Sequence, residues 1–339
     1  MSRYLVALLA GLASVIVFVA PLSGTPLGLF FGLMLVPLPI AIAGLGWGWV
    51  SALIAAIVAG IGAAAIATPT AGLIHALAAG LPVAGMSYLL GLNREIVLPD
   101  GRQSTEWYPL GRVLGAIVVW ASVLTISAFL VVAGDMNALK TMMQQSLDRV
   151  FDAQTANNPE LAKQLTPEVR RRFAASMVPY VPAGLAWFLI LSMVFNLWLA
   201  GRITQQSGQL LRPWQDMTTA VLPRGVPIAL MIAIVVTFFG GYVGFLAAAV
   251  VWACVFAYLL QGLAVIHQTS RGQPVRGLGL TLLYMLTALL PPAGIIVAIL
   301  GLAEPFSPLR RKHLETFPPA PPPGTPPPGN PNPPNTPNT

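Results

Sequence analysis

The chain has 339 residues, 56% hydrophobic and 9% charged, whereas soluble domains carry roughly a quarter charged residues. This excludes an ordinary soluble domain and leaves a chain that is mostly dissolved in lipid. The net charge of +7 comes from basic residues scattered among loops, without the clustered stripe and interleaved aromatics of a nucleic-acid surface, so the lipid bilayer is the expected partner and nucleic acid is not.

Apolar runs near the roughly 20 residues needed to cross about 30 Å of hydrocarbon recur from end to end. They predict an all-α, polytopic helical membrane protein with about nine hydrophobic segments, forming one integral membrane domain over residues 1–312. The first segment, residues 5–20, follows a charged start but has no small-x-small cleavage site, and reads as a retained helix. Ala7 with Gly11 and Ala10 with Ser14 give it a face for close packing. Residues 26–43 form the second segment, interrupted by Pro37 and Pro39, whose freed carbonyls must be covered by protein or a wet cavity. After Gly44-Leu-Gly-Trp-Gly48 comes a third segment with small residues every four positions: Ser51, Ala55, Ala59, Ala63 and Ala67. The fourth, residues 70–92, carries His75 about one turn inside and Pro82 near its middle. The loop 93–109 is polar, turn-rich at Pro99-Asp-Gly101, and holds no catalytic cluster.

After the fifth segment, residues 110–133, comes one sizeable polar insert at 134–178. Met136, Leu139, Met143, Leu147 and Val150 recur at helical spacing, so this helix is expected outside the membrane, along the bilayer surface or capping the bundle. Thr166-Pro-Glu168 starts another helix, with Thr as cap and Pro in the first turn. Arg170 to Arg172 read as a solvated or headgroup-facing surface. The sixth segment covers 179–201. Residues 227–266 would run roughly 60 Å as one helix and must be two spans, turning near Gly240-Gly241. The ninth segment, 278–302, is broken at Pro291-Pro292. The end, 313–339, is dominated by Pro, Gly, Asn and Thr, and is expected to be disordered or polyproline-like.

Basic residues favour the cytoplasmic side. If all nine segments cross, they divide nine against nine. If the ninth returns, the division becomes twelve against six, which puts both termini in the cytoplasm and the insert outside.

Glu95, Asp100, Glu106, Asp135 and Glu304 all lie outside the expected spans, which disfavours transport coupled to protons or sodium through an intramembrane carboxylate. There is no Walker loop and no zinc helix, and the lone Cys254 sits in an apolar run, so no metal and no cofactor are expected. Ser87 with His267 is the one candidate nucleophile pair and has no oxyanion-hole sequence nearby; the chain is expected not to be an enzyme. What remains is a set of neutral polar groups, His75, Asn196, Gln261 and His267, with Trp187, Trp198, Trp214 and Tyr258 available for stacking. They suit a pocket between helices for a small neutral or weakly anionic ligand. Alternatively they satisfy one another, or backbone broken at prolines. Arg202, Arg212, Trp214 and Arg224 belong to a loop expected to contact headgroups first, with a membrane-protein partner such as an energising subunit, or an anionic ligand, as the alternatives.

Four stretches carry a resemblance: Asn196-Leu-Trp-Leu-Ala-Gly-Arg202, Leu211-Arg-Pro-Trp214, Gln261-Gly-Leu-Ala-Val-Ile-His267, and Leu300-Gly-Leu-Ala-Glu304 before Arg310-Arg-Lys312. Together they resemble the YybS-like bacterial membrane family of unknown function, across about residues 5 to 312. The resemblance implies a bacterial inner-membrane protein. It further implies a likeness to the substrate-binding components of energy-coupling-factor transporters and to the rod-shape protein MreD, although nine segments exceed the usual six of a vitamin-binding component. From the whole, the expected function is a small-molecule binding or permease subunit without its own energy source, with a non-enzymatic scaffold or assembly factor of the cell envelope as the alternative.

Overall fold

The computed structural model describes residues 2–19, 26–98, 101–156 and 159–306. The proline-rich tail, the basic run 310–312 and the turn residues Pro99 and Asp100 lie outside them. The protein is a helical membrane protein. Among the described residues six helical stretches are long and apolar enough to cross a bilayer, and a bent pair makes seven at most. The expected nine segments are all present as apolar helices, but two fall short of a full crossing. Helix α1 (Arg3–Val19) has 17 residues and α12 (Gly225–Thr237) has 13, against about 20 for a span.

Proline decides where the second stretch breaks. Helix α2 (Pro26–Leu35) stops before Pro37, and α3 (Leu38–Trp47) restarts with Pro39 in its first turn, where the missing N–H removes no helical bond. The carbonyls at the break are covered by protein. Ser192 Oγ and Asn196 Nδ2 donate to Met34 O at 2.8 and 2.6 Å, and Ser14 Oγ donates to Val36 O at 2.7 Å. Helix α4 (Trp49–Ile66) follows, its Ser51, Ala55, Ala59 and Ala63 all buried. Gly11 of α1 abuts Ala55 and Val58, and Val15 abuts Gly62, so α1 runs parallel to α4 with backbones nearly touching.

Pro82 marks a second irregularity. Helix α5 (Pro69–His75) passes through a π turn at Ala76–Gly80 into α6 (Leu81–Gly91), and Leu81 N–H reaches back five residues to Ala76 O. Trp120 of α7 (Leu110–Val132) donates its indole N–H to Leu77 O at 3.1 Å. Between α6 and α7 the polar loop forms an antiparallel ribbon, β1 (Asn93–Val97) against β2 (Gln103–Trp107), with Asn93 opposite Trp107. The ribbon holds Trp107 and Tyr108 at one end of the bundle.

The insert folds as α8 (Met136–Thr155), α9 (Pro159–Gln164) and α10 (Pro167–Met177). Leu139 is buried with Phe129, Ala133, Val178 and Phe245, which fixes the insert to the end of the bundle away from the ribbon. Arg170 is no headgroup contact: its side chain is 16% exposed and is bonded to Asp152 at 2.6 Å. Arg171 and Arg172 pair with Glu168.

Helix α11 (Val181–Gln206) returns to the ribbon end; α12 and α13 (Gly241–Thr269) are separated at Gly240, whose φ of 65° an L side chain resists. Helix α14 (Arg276–Leu289) and α15 (Pro291–Ala303) form the pair bent by 115°. Their contacts give the direction of α15. A Cβ on Gly262 would stand 2.0 Å from Val297 O, and one on Gly301 2.1 Å from Tyr258 O. Helix α15 is therefore antiparallel to α13 and ends beside its middle. This corrects the expected place of Glu304. The residue is 8% exposed, one turn past Gly301, at the depth of the bundle rather than outside it. The chain beyond 306, which would decide the balance of basic residues, is outside the described part.

Candidate functional site

Helices α3, α6, α7, α11 and α13 all end or begin near the ribbon, and residues 207–224 cross between them as a strap. Leu211 N–H bonds Leu45 O at 3.2 Å, and Leu222 N–H bonds Gln261 Oε1 at 2.7 Å. Beneath the strap lies a cavity of about 590 Å³, within the range that holds single small ligands. Its deep wall is aliphatic, with Val113, Leu114 and Ile117 from α7, Val194 and Leu197 from α11, and Leu260 from α13. Trp198, Trp214 and Tyr284 add aromatic surface, and Arg212, Gln215, Thr218, Gln261 and His267 supply the polar groups.

Glycine lets the strap come close. A Cβ on Gly201 would meet the Trp214 ring at 2.7 Å, so the indole packs this closely on α11 only because residue 201 has no side chain. Arg202 covers the same ring from outside, 5.4 Å from its centroid. Two polar contacts secure the strap. Arg212 donates to Leu90 O at 3.3 Å, to Tyr108 O at 2.9 Å and to Gln215 Oε1, with Trp107 5.7 Å away. Asp216 accepts from Arg271 at 2.5 Å and from Thr218 N–H and Oγ at 2.9 and 2.7 Å.

Charge follows from these contacts. Burial pushes the Arg212 guanidinium down to about 10, which leaves it protonated at neutral pH. For Asp216 burial acts to raise the carboxyl, but the bonds from Arg271 and Thr218 outweigh it and hold the group below the usual carboxylate value.

The sequence candidates divide. Gln261, His267, Arg212 and Trp214 line the cavity, as does Trp198. His267 Nδ1–H donates to Leu263 O at 2.9 Å, which makes Nε2 the acceptor for the Tyr284 hydroxyl at 3.3 Å. Gln261 has both ends of its amide engaged, Oε1 by Leu222 and Nε2 by Gly301 O at 2.7 Å; it builds the wall more than it offers a free group.

His75 and Asn196 are not on the cavity wall. Asn196 closes the break at Pro37, with a further bond to Ser192 O at 2.7 Å. His75 is 1% exposed and its Nε2 stands 3.0 Å from Ser14 Oγ. Because the Ser14 proton goes to Val36 O, His75 must donate from Nε2, so Ser14 is not activated as a nucleophile. The pair considered from sequence does not form: Ser87 packs on Gly44, while both nitrogens of His267 have other partners. Trp187 and Tyr258 are core groups, Trp187 donating to Trp252 O at 2.9 Å.

Arg212 is corrected most sharply. Expected on a loop facing headgroups first, it is 8% exposed, because its guanidinium reaches to Leu90 O and Tyr108 O at the end of α6 and beside the ribbon. Arg202 and Arg224 are both exposed, but only Arg224 is on the loop; Arg202 lies within α11, which continues past the expected end of the segment to Gln206. Sequence reasoning missed Gln215, Asp216, Thr218, Arg271 and Tyr284. The signal was a long connection carrying Trp214 and several aliphatics, a composition that asks to be buried. Gln268 is wholly buried with neither amide atom bonded, and no contact among the described residues explains it.

The region just described, from the α1 contact with α4 to the buried Glu304, is also what a comparison with protein families recovers: a family model for a predicted membrane protein (DUF2232) matches residues 11–304. The chain belongs to the DUF2232 family of predicted membrane proteins. The DUF2232 match begins at Gly11, the glycine that admits α4, and ends at Glu304, so the strap, the cavity and the α13–α15 contact all fall within it. Searches of curated proteins and of solved structures return no match.

Proposed function

We propose that the protein is a small-molecule binding or permease subunit, a multi-pass protein of the bacterial inner membrane, working without catalysis of its own. The observation that carries this reading is the cavity under the strap. Its walls are rigid helices, two indoles frame it, and a small set of polar groups gathers at the strap side, as in sites that orient a ligand by few bonds and hold it by area. The likeness to YybS-like proteins and to transporter substrate-binding components belongs to the same proposal. Reliance on an energising partner is supported by composition, since α3 to α7, α11 and α13 contain no carboxylate between their ends; Glu304 is the exception to be tested.

The experiment is mass spectrometry of the protein purified from native membranes in mild detergent, beside Ala264→Phe, which fills the cavity from α13. A co-purifying molecule present in the first and lost from the second is the expected result. Equal retention in both overturns the reading.

A scaffold role in the cell envelope is favoured by one feature, the insert. Met142, Val150, Val169 and Phe173 remain 39% to 49% exposed there, an apolar face on helices outside the membrane. An insert that captures an envelope protein, from a chain that carries no small molecule, would favour this second reading.

A further inference from the structure

We propose that the ligand of this cavity is an acidic amphiphile, a molecule with one apolar chain or ring system and a single carboxylate that pairs with Arg212. The inference rests on the binding reading above and adds the chemical class of the ligand.

Arg212 lines the cavity and is more than nine-tenths buried. Its terminal nitrogens bond two backbone carbonyls and the Gln215 amide, and its Nε–H is buried without an acceptor. Among the described residues no carboxylate lies within ion-pair distance of it. Arg271 and Arg170 differ in this respect, with Asp216 at 2.5 Å and Asp152 at 2.6 Å. Carbonyl dipoles solvate a guanidinium but do not cancel its charge, and a buried cation without a counterion is costly. A bound anion supplies the missing charge.

The donors left on Arg212 select the head. Of the five N–H groups of a guanidinium, Nη2 spends two on Tyr108 O and Gln215 Oε1 and Nη1 one on Leu90 O, which leaves one on Nη1 and the Nε–H. So few donors suit a carboxylate better than a phosphate monoester, which brings three acceptor oxygens and about −1.5 to −2 of charge at neutral pH. The aliphatic walls from α7, α11 and α13, capped by Trp198 and Trp214, then take the apolar body.

The test uses the full chain in lipid nanodiscs and reads tryptophan fluorescence quenched by a brominated dodecanoate, with its methyl ester as control and both referred to lipid-phase concentration. Saturable quenching by the acid, reversed by unlabelled dodecanoate and at least about tenfold weaker for the ester, is expected from the loss of a charge-assisted pair. In Arg212→Gln the acid should fall to the ester's affinity, while the ester is unchanged. The acid and ester comparison on the unsubstituted protein keeps the test valid if that variant does not fold. Equal saturable quenching by acid and ester overturns the acidic head and leaves the cavity as a binding site. Saturable quenching by neither also overturns it, and the molecule carried from native membranes then judges the cavity separately.

Discussion

Asn196 and Gln261 carry the same amide at comparable depth and do different work. Asn196 is a staple: its Nδ2 closes the α2–α3 break, and nothing of it reaches the cavity. Gln261 is a staple and a wall at once, joining the strap to α15 through α13. Removing a buried partner costs about 1 to 3 kcal/mol for each group left unbonded. Asn196→Leu leaves Ser192 on Met34 O and falls at the low end, with ligand affinity unchanged. Gln261→Leu abandons Leu222 N–H and Gly301 O together, falls at the high end and weakens binding as well. Thermal unfolding of the purified variants, measured with and without ligand, checks the split; equal loss of binding in both would contradict it. The same logic places Trp120 on Leu77 O and Ser14 on Val36 O: where a transmembrane helix is irregular, a neighbouring helix supplies a donor.

At the scale of elements, the strap is held by a contact that titrates. The Asp216 carboxyl is lowered in the folded protein, so the stability it contributes is present above the ordinary carboxylate value near about 4 and is lost as pH falls through the folded value. Both partners are about a third exposed, and solvent screening limits the pair to about 0.5 to 1 kcal/mol. Amide protection over residues 216–222, the exchange rate taken relative to the intrinsic rate at each pH, is therefore expected to be flat from neutral pH to about pH 5 and to fall below about pH 4, with Asp216→Asn less protected throughout and without that step. Arg212 does not contribute to this profile, since it loses its proton only near 10. The shortness of α12 and the bend at Pro291 follow from the same economy of length: Gly240 ends one helix after 13 residues, and the proline pair stops α14 before it can cross.

For the molecule as a whole, the open question is work against a gradient. The long crossing helices offer dipoles and no negative charge, whereas Glu304 is carried inward by the antiparallel run of α15 along α13. In sealed liposomes the isolated protein is expected not to concentrate its solute under a proton or sodium difference. Accumulation that disappears in Glu304→Gln would reverse this and make that carboxylate the coupling group.

Lipid solubility, the break at Pro37, the turn at Gly240 and the amphipathic insert were determined by sequence alone, because each depends on hydropathy or backbone restriction within about 20 residues. Which polar side chains are staples and which face the cavity was decided by tertiary structure. Asn196 finds its acceptor 162 residues away, and Gln261 finds Leu222 and Gly301 on either side of it in the chain. A buried hydrogen bond is specified by the meeting of two segments, and no local pattern records which segments meet.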